Sequence, residues 1–270
     1  MSEQVAHYDT SYGGFAEEIY RAIRQEAFGE DIGQNSWLTA DEFRRFLGWL
    51  ELTPASKLLD IGCGSGGPAL FIARRYGCGV VGVDVNEKGV KVANEQAQAY
   101  DLTSLAQFKH VDGSKSLPLE KEIFDAIVCI DAINHLPNRL GVLSEWRRIL
   151  KPEGRLLFTN PITVTGLLSN EEVAIRSSIG YFLFAPVGED ERLIKEARFD
   201  LVMREDVTEN MAEISKRRHN ARQKRRKELI QIEDEETFEG QQQFLSMAHR
   251  LADERRLSRF VFVVRKMKEK

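Results

Sequence analysis

The residues best placed for chemistry lie in one stretch, KLLDIGCGSGG, running from Lys57 to Gly67. Gly62, Gly64 and Gly67 fit G-x-G-x-x-G, after an apolar run and before a helical pattern, the setting in which this motif holds a nucleotide-like cofactor. Glycines at such positions reach positive φ and let the backbone approach a ligand closely. Asp84 ends the next apolar run, where a carboxylate can take ribose hydroxyls. The same acid would also be stable simply as the negative charge at the start of the following helix. The pair of signals points to an adenosine-bearing cofactor without saying which one.

Three features narrow the choice. Asp60 stands two residues before Gly62, at the end of the apolar strand, where it would repel a pyrophosphate and suit a cation or an amine. The loop carries no Lys or Arg and no G-K-[ST] ending, which excludes a P-loop. The remainder of the chain does not repeat the first βαβ half and leaves no room for a dehydrogenase catalytic domain.

The elements that must position these residues follow from hydrophobic periodicity. FAEEIYRAIRQEAF places Phe15, Ile19, Ala22, Ile23 and Ala27 on one helical face. TADEFRRFLGWLEL is a second helix, with Thr39 and Glu42 as a capping box. From Lys57 onward apolar strands (KLLDIG, GVVGVDV, AQFKHVDG, FDAIVCIDA, GRLLFTNP) alternate with helices (GPALFIARRYG, NEKGVKVANEQAQAYDL, RLGVLSEWRRIL). That alternation predicts an α/β protein with a mostly parallel sheet covered on both faces. After Pro161 the pattern gives helices over SNEEVAIRSSIGYFLF and EDERLIKEA, and a strand over RFDLVMREDVT. A long charged helix follows from about Glu209 to Gly240, then a helix over QQQFLSMAHRLADERR and a terminal strand, LSRFVFVVRK. The expected organisation is an N-terminal helical lid over 1–52 and a main domain over 53–270, with a helical cap inserted at about 162–245.

Composition excludes several classes. A hydrophobic content of 42% with 30% charged residues over 270 residues is that of an ordinary globular domain. A formal charge of −4 argues against a dedicated nucleic-acid binder. Cys63, Cys78 and Cys129 have no metal-like spacing and read as buried reduced thiols in a cytoplasmic protein. His7, His110, His219 and His249 show no ligand spacing, so no metal site is expected. The polar opening MSEQVAHYDTSYGG reads as no secretory signal, and no apolar run approaches a membrane span.

LLDIGCGSGG, VVGVDVN, HVDG, FDAIVCIDAINHLP and RILKPEGRLLFTNP, in this order, resemble the class I S-adenosylmethionine-dependent methyltransferases. The likeness is nearest to the small-molecule branch of ubiquinone/menaquinone-type, sarcosine and phosphoethanolamine enzymes. It covers roughly Leu58 to Pro161, and the remaining chain only in outline. It implies a doubly wound, seven-stranded, Rossmann-like sheet with an antiparallel last strand. It implies S-adenosyl-L-methionine as cofactor and S-adenosyl-L-homocysteine as product. Residue by residue, it implies that Gly62 and Gly64 pack the methionine part and that Asp60 works near its amine. Asp84 would take the ribose hydroxyls, Val85 would lie on the adenine, and Asp112 and Gly113 would meet the adenine edge. The backbone at Ile130 and Asp131 would face the amino-acid end, and His135 would stand near the transferred methyl. An acid at Asp131 departs from the small or apolar residue of many relatives, which leaves its side chain without an implied role. Gln34, Trp37 and Tyr12 are the candidates for a closing N-terminal loop.

The acceptor side is read from the residues that vary in such folds. Phe15, Trp37 and Tyr181 would line an apolar pocket, or serve as core. His135 would act as a general base for a hydroxyl or acidic carbon, or only shape its loop. The cluster Lys216, Arg217, Arg218, Arg222, Lys224, Arg225, Arg226 and Lys227 raises an alternative, an RNA or protein methyltransferase using the basic helix 216–227. The acidic block Glu233 to Glu236 and the lack of interleaved aromatics speak against it. A thin apolar seam suits a solvated lid helix, or a homo-oligomer contact through the C-terminal helices. A non-catalytic cofactor-binding module is the remaining alternative. The expected function is methyl transfer to a small-molecule acceptor at N, O or C.

Overall fold

The computed structural model describes residues 12, 14, 15 and 17–267. Its sheet is built from Lys57–Ile61 (β1), Gly79–Asp84 (β2), Ala106–His110 (β3), Phe124–Cys129 (β4), Leu150–Val164 (β5), Ala185–Pro186 (β6), Phe199–Asp206 (β7) and Leu257–Lys266 (β8). The order is β3-β2-β1-β4-β5-β8-β7, with β6 paired to β5 beside the path. β1 to β5 run parallel, and β8 runs antiparallel to both β5 and β7. The two-residue β6 makes eight strands where seven were expected.

The helices are Glu18–Phe28 (α1), Ala40–Gly48 (α2), Gly67–Tyr76 (α3), Glu87–Ala99 (α4), Arg139–Ile149 (α5), Asn170–Arg176 (α6), Glu189–Glu196 (α7), Thr208–Lys224 (α8), Arg226–Glu233 (α9) and Glu235–Asp253 (α10). Successive strand residues enter opposite cores, as strand geometry requires. Leu58 joins a core with Phe43, Phe46, Leu70 and Val90, whereas Leu59 joins one with Val142, Trp146 and Ile194. A third packing region seats α1 and Trp37 against Met211, Ile214 and Phe244 of α8 and α10. Thr39 Oγ1 caps α2 by accepting from Glu42 N at 3.1 Å, and Gly77 ends α3 in the left-handed conformation.

Two expected helices differ. α6 stops at Arg176, and the following IGYFLF is a turn and irregular chain rather than helix. Its backbone is drawn into tertiary bonds instead: Leu183 N donates to Asn134 O at 2.8 Å, and Leu183 O accepts from Arg139 Nη2 at 2.9 Å. The single charged helix is also broken, at Arg225 and again at Asp234. Asp234 adopts φ 68° and accepts from Thr237 N at 2.8 Å to start α10.

Five basic residues of α8 and the start of α9 pair with carboxylates of the same chain. Arg222 pairs with the buried Glu233 at 2.5 Å, and Glu233 also accepts from Tyr20 Oη at 2.7 Å. Lys224 and Arg225 pair with Glu26, Arg217 with Glu213, and Arg226 with Glu235 and Glu239. Among the described residues no helix is long and apolar enough to cross a membrane.

Candidate active site

The carboxyl ends of β1, β2 and β4 open into a cavity of about 480 Å³. That size lies within the range of roughly 300–1,000 Å³ for small-molecule sites, and strand carboxyl ends are where open α/β sheets bind ligands. Asp60, Gly62, Gly64, Asp84, Val85, Asp112, Gly113, Ile130, Asp131, His135 and Tyr181 all line it, as does Tyr12.

The glycine loop is fixed from below. Gly62 N and Cys63 N both donate to Val83 O, at 2.9 and 3.2 Å, tying the loop to the end of β2. Gly64 has φ 52°, and a side chain there would stand 3.0 Å from the Tyr12 ring. Gly67 is held by contact rather than by its dihedral, since a Cβ would come within 2.3 Å of Gly33 O. Glycine therefore lets the loop before α2 close onto the start of α3.

Asp84 organises the next wall. Its Oδ2 accepts from Gly64 N and its Oδ1 from Asn86 N, both at 2.8 Å. Each oxygen retains a further lone pair for a ligand hydroxyl. Burial pushes its carboxyl up, against the backbone N–H groups of Asn86, Gly64 and Val85, which pull it down. Asp60 has no such set of compensating donors. Burial first, and the Asp84 charge second, raise its carboxyl to about 7. At Asp112 burial also pulls upward, but bonds from Ser114 and Lys115 outweigh it and hold the carboxyl below its ordinary value.

At the β4 end, Asp131 adopts φ 51°. Its side chain is consumed by the protein. Oδ1 accepts from Thr159 Oγ1 at 2.7 Å and Arg259 Nε at 2.8 Å, and Oδ2 accepts from Trp37 N at 2.9 Å. Arg259 is fully buried and reaches Glu42 Oε2 at 2.7 Å. Burial opposes the Arg259 charge, but Asp131 and Glu42 overcome it and raise its pKa. One guanidinium thus joins α2, β8 and the β4 loop beneath the cavity. Asp131 reaches the cavity as a wall whose carboxylate is already neutralised.

His135 ends the short 3₁₀ turn Ile133–His135. Its Nδ1 lies 2.7 Å from Tyr181 O. A carbonyl only accepts, so Nδ1 carries the proton of the neutral ring and Nε2 keeps a lone pair. Burial first lowers the imidazole to about 4, and the charge of Arg176 adds to this against the Tyr181 bond. Titration of the ring by NMR is expected to show a midpoint near pH 4. The unfolded chain takes up that proton first, so the His135 contribution to stability is full above about pH 6.5 and falls as the pH drops towards 4.

Three expected site residues lie elsewhere. Gln34 is fully buried within its own loop, accepting from Ile32 N and donating to Glu30 O. Trp37 stacks on Phe244 at 6.3 Å, in the packing between α1 and the C-terminal helices. Phe15 is covered by the Arg24 guanidinium at 4.0 Å. Gln34 and Trp37 were the candidates for a closing loop and Phe15 for an apolar acceptor pocket; the bend at Gly33 presents Asn35 and Ser36 to the cavity instead. No motif announces those two, or Pro137. Arg259 did carry a signal: an arginine in an apolar strand buried on both faces must be paired.

The comparisons agree with this architecture. Residues 59–158 match the family model described as a methyltransferase domain. The chain is 28% identical over 204 residues to the 27-O-demethylrifamycin SV methyltransferase of Amycolatopsis mediterranei, covering 71% of this chain and 75% of that one. It is 34% identical over 143 residues to the glycine/sarcosine/dimethylglycine N-methyltransferase of Actinopolyspora halophila, covering 53% of this chain and 24% of that longer protein. The fold is shared with the Mycobacterium tuberculosis cyclopropane synthase MmaA2, at TM-score 0.81 and 19% identity over 96% of this chain and 98% of that one. It is shared too with Haemonchus contortus phosphoethanolamine N-methyltransferase 2, at TM-score 0.79 and 20% identity over 96% of this chain and 60% of that one. Residues 59–158 thus carry a methyltransferase domain, and the relatives named here are small-molecule methyltransferases.

Proposed function

We propose that the cavity binds S-adenosylmethionine through Asp60, Gly64, Asp84, Asp112 and Gly113, and presents its methyl group towards His135 and Tyr181. The observation that carries this is the pairing of Asp60 with the glycine loop in one cavity. A buried carboxyl raised to about 7 is poorly suited to phosphates and well suited to a cationic partner. Gly113 supports the reading, because a Cβ there would lie 2.7 Å from Ile61 Cγ2 and only glycine keeps that wall flat.

When bound, the cofactor supplies an electrophilic methyl group on a sulfonium; the chain supplies alignment and exclusion of water. Asp84 has lone pairs left for the ribose diol. Val85, 63% exposed, offers an apolar face for the adenine. A ring lowered to about 4 is a weak base, so His135 orients an acceptor proton through Nε2 rather than removing it outright. That favours acceptors whose nucleophilic lone pair is already available at neutral pH. The internal pairing of the basic helix supports a small-molecule acceptor over RNA.

The test is proton linkage. A cation placed beside Asp60 lowers its pKa, so binding releases a proton below about pH 7. The affinity for S-adenosylmethionine is expected to rise with pH between about 5 and 7, by up to about one log unit per pH unit. Calorimetry in two buffers of different ionisation enthalpy reads the released proton directly. Asp60→Asn should abolish the linkage and weaken binding. A wild type whose affinity is flat over that range would remove Asp60 from the site.

A further inference from the structure

His135 is oriented by a segment with little structure of its own. Between the turn at Gly180 and β6 the chain is irregular, and Gly180 and Tyr181 line the cavity. Tyr181 O lies 2.7 Å from His135 Nδ1, and the Phe182 ring meets the imidazole edge to face at 4.5 Å. Leu183 N donates to Asn134 O at 2.8 Å, which ties the segment to the 3₁₀ turn that carries His135. That bond joins two pieces that could move together. An anchor to the rest of the protein sits on the other side of the same residue, where Leu183 O accepts from Arg139 Nη2 at 2.9 Å.

Arg139 is the first residue of α5 and is 6% exposed. Its Nη1 donates to Asp190 Oδ1 of α7 at 2.9 Å, and Asp190 Oδ2 accepts from Asn160 Nδ2 of β5 at 2.7 Å. Asp190 and Asn160 are buried as well. A chain of hydrogen bonds therefore runs from the central sheet to the cavity wall. Stability does not account for it. A cation at the first position of a helix meets the positive end of the helix dipole. A buried ion pair is often no more stable than apolar residues of the same volume, because both charges lose water. Arg139 Nε also has no partner among the described residues. What the pair supplies is direction. A guanidinium holds its donors in a fixed plane, so seating one nitrogen on Asp190 dictates where the other meets Leu183 O.

We propose that Arg139, seated by Asp190 and Asn160, is a positioning residue of the acceptor site: it holds the 180–183 segment so that Tyr181 O keeps the His135 proton on Nδ1 and leaves Nε2 to accept. The class of methyl acceptor follows. It presents an N–H or O–H, on or beside the atom that is methylated, to the Nε2 lone pair. This deepens the methyltransferase reading of the cavity and rests on it for the acceptor, whereas the tautomer is read without cofactor or acceptor.

The test is the tautomer of His135, read near neutral pH from long-range proton–nitrogen correlations of the full chain with isotope-labelled histidine. The signals are assigned by their loss in His135→Gln. The wild type is expected to show one neutral form, protonated on Nδ1. Arg139→Met alone would strand a buried carboxylate, so the main variant is the double change Arg139→Met, Asp190→Asn, which removes both charges and keeps an acceptor for Asn160. It should keep the thermal midpoint and the S-adenosylhomocysteine affinity of the wild type, yet lower the ratio of Nδ1–H to Nε2–H by about tenfold, the value of one hydrogen bond. Arg139→Lys, which keeps the charge but not the fork, should fall between. A merely structural role would move the midpoint and leave the tautomer alone. An unchanged ratio in the folded variants, or a wild type protonated on Nε2, would overturn the proposal. Failure of the wild type to bind S-adenosylhomocysteine would remove the methyltransferase reading and leave the positioning of His135 standing.

Discussion

Asp84→Ala is expected to weaken S-adenosylhomocysteine binding by roughly a hundredfold. Two effects add. On the proposed reading the carboxylate accepts both ribose hydroxyls, and hydrogen bonds to a charged acceptor contribute about 1.5 kcal/mol or more each. Their loss alone amounts to about 3 kcal/mol, or roughly two decades in affinity. The carboxylate also holds Gly64 N and Asn86 N at 2.8 Å, so its removal loosens the glycine loop at Gly64, while the bonds of Gly62 N and Cys63 N to Val83 O still anchor its start. Asp84→Asn keeps the volume but replaces one acceptor by a donor facing a donor, and should fall between wild type and alanine. Calorimetry checks the series. An alanine variant within about threefold of wild type would show that the ribose is not held here.

The second large effect concerns Arg259. Arg259→Met leaves Asp131 and Glu42 facing each other in a site from which water is excluded. Breaking a buried ion pair by removing one partner costs about 3–5 kcal/mol. For a chain of this size that corresponds to a fall of about 10 °C in the thermal midpoint. Arg259→Lys retains the charge but not the fork that spans Asp131 at 2.8 Å and Glu42 at 2.7 Å, and should lose less. The triple variant Arg259→Met, Asp131→Asn, Glu42→Gln removes the stranded charges and should be more stable than Arg259→Met alone. Thermal denaturation followed by circular dichroism reads all three. A midpoint for Arg259→Met within about 2 °C of wild type would contradict the account of this network. Because Asp131 accepts from Trp37 N, the same variants should also loosen the loop that carries Asn35 and Ser36.

Much of this architecture was legible in the chain. The strands β1, β2 and β4 are continuous apolar runs because both of their faces are covered. Gly62, Gly64, Asp60 and Asp84, singled out by the glycine loop and the strand ends, come together around one cavity. What escaped was settled by contacts distant in sequence. Phe182 and Phe184 continue a helical period on paper, but the backbone of Leu183 is taken up by Asn134 and Arg139 instead of by a helix. Trp37 and Gln34 lie next to the lining residues, and one turn at Gly33 decides which of them faces inward. Asp131 read as an acid without a role because its partner, Arg259, lies 128 residues away.

The most direct test of the central claim is a calorimetric titration of the wild-type chain with S-adenosylmethionine, S-adenosylhomocysteine and NAD. The account predicts one site per chain for the two sulfur cofactors, with binding in the micromolar range (about 8 kcal/mol) and no heat with NAD. Binding of NAD, or of none of the three, would contradict it.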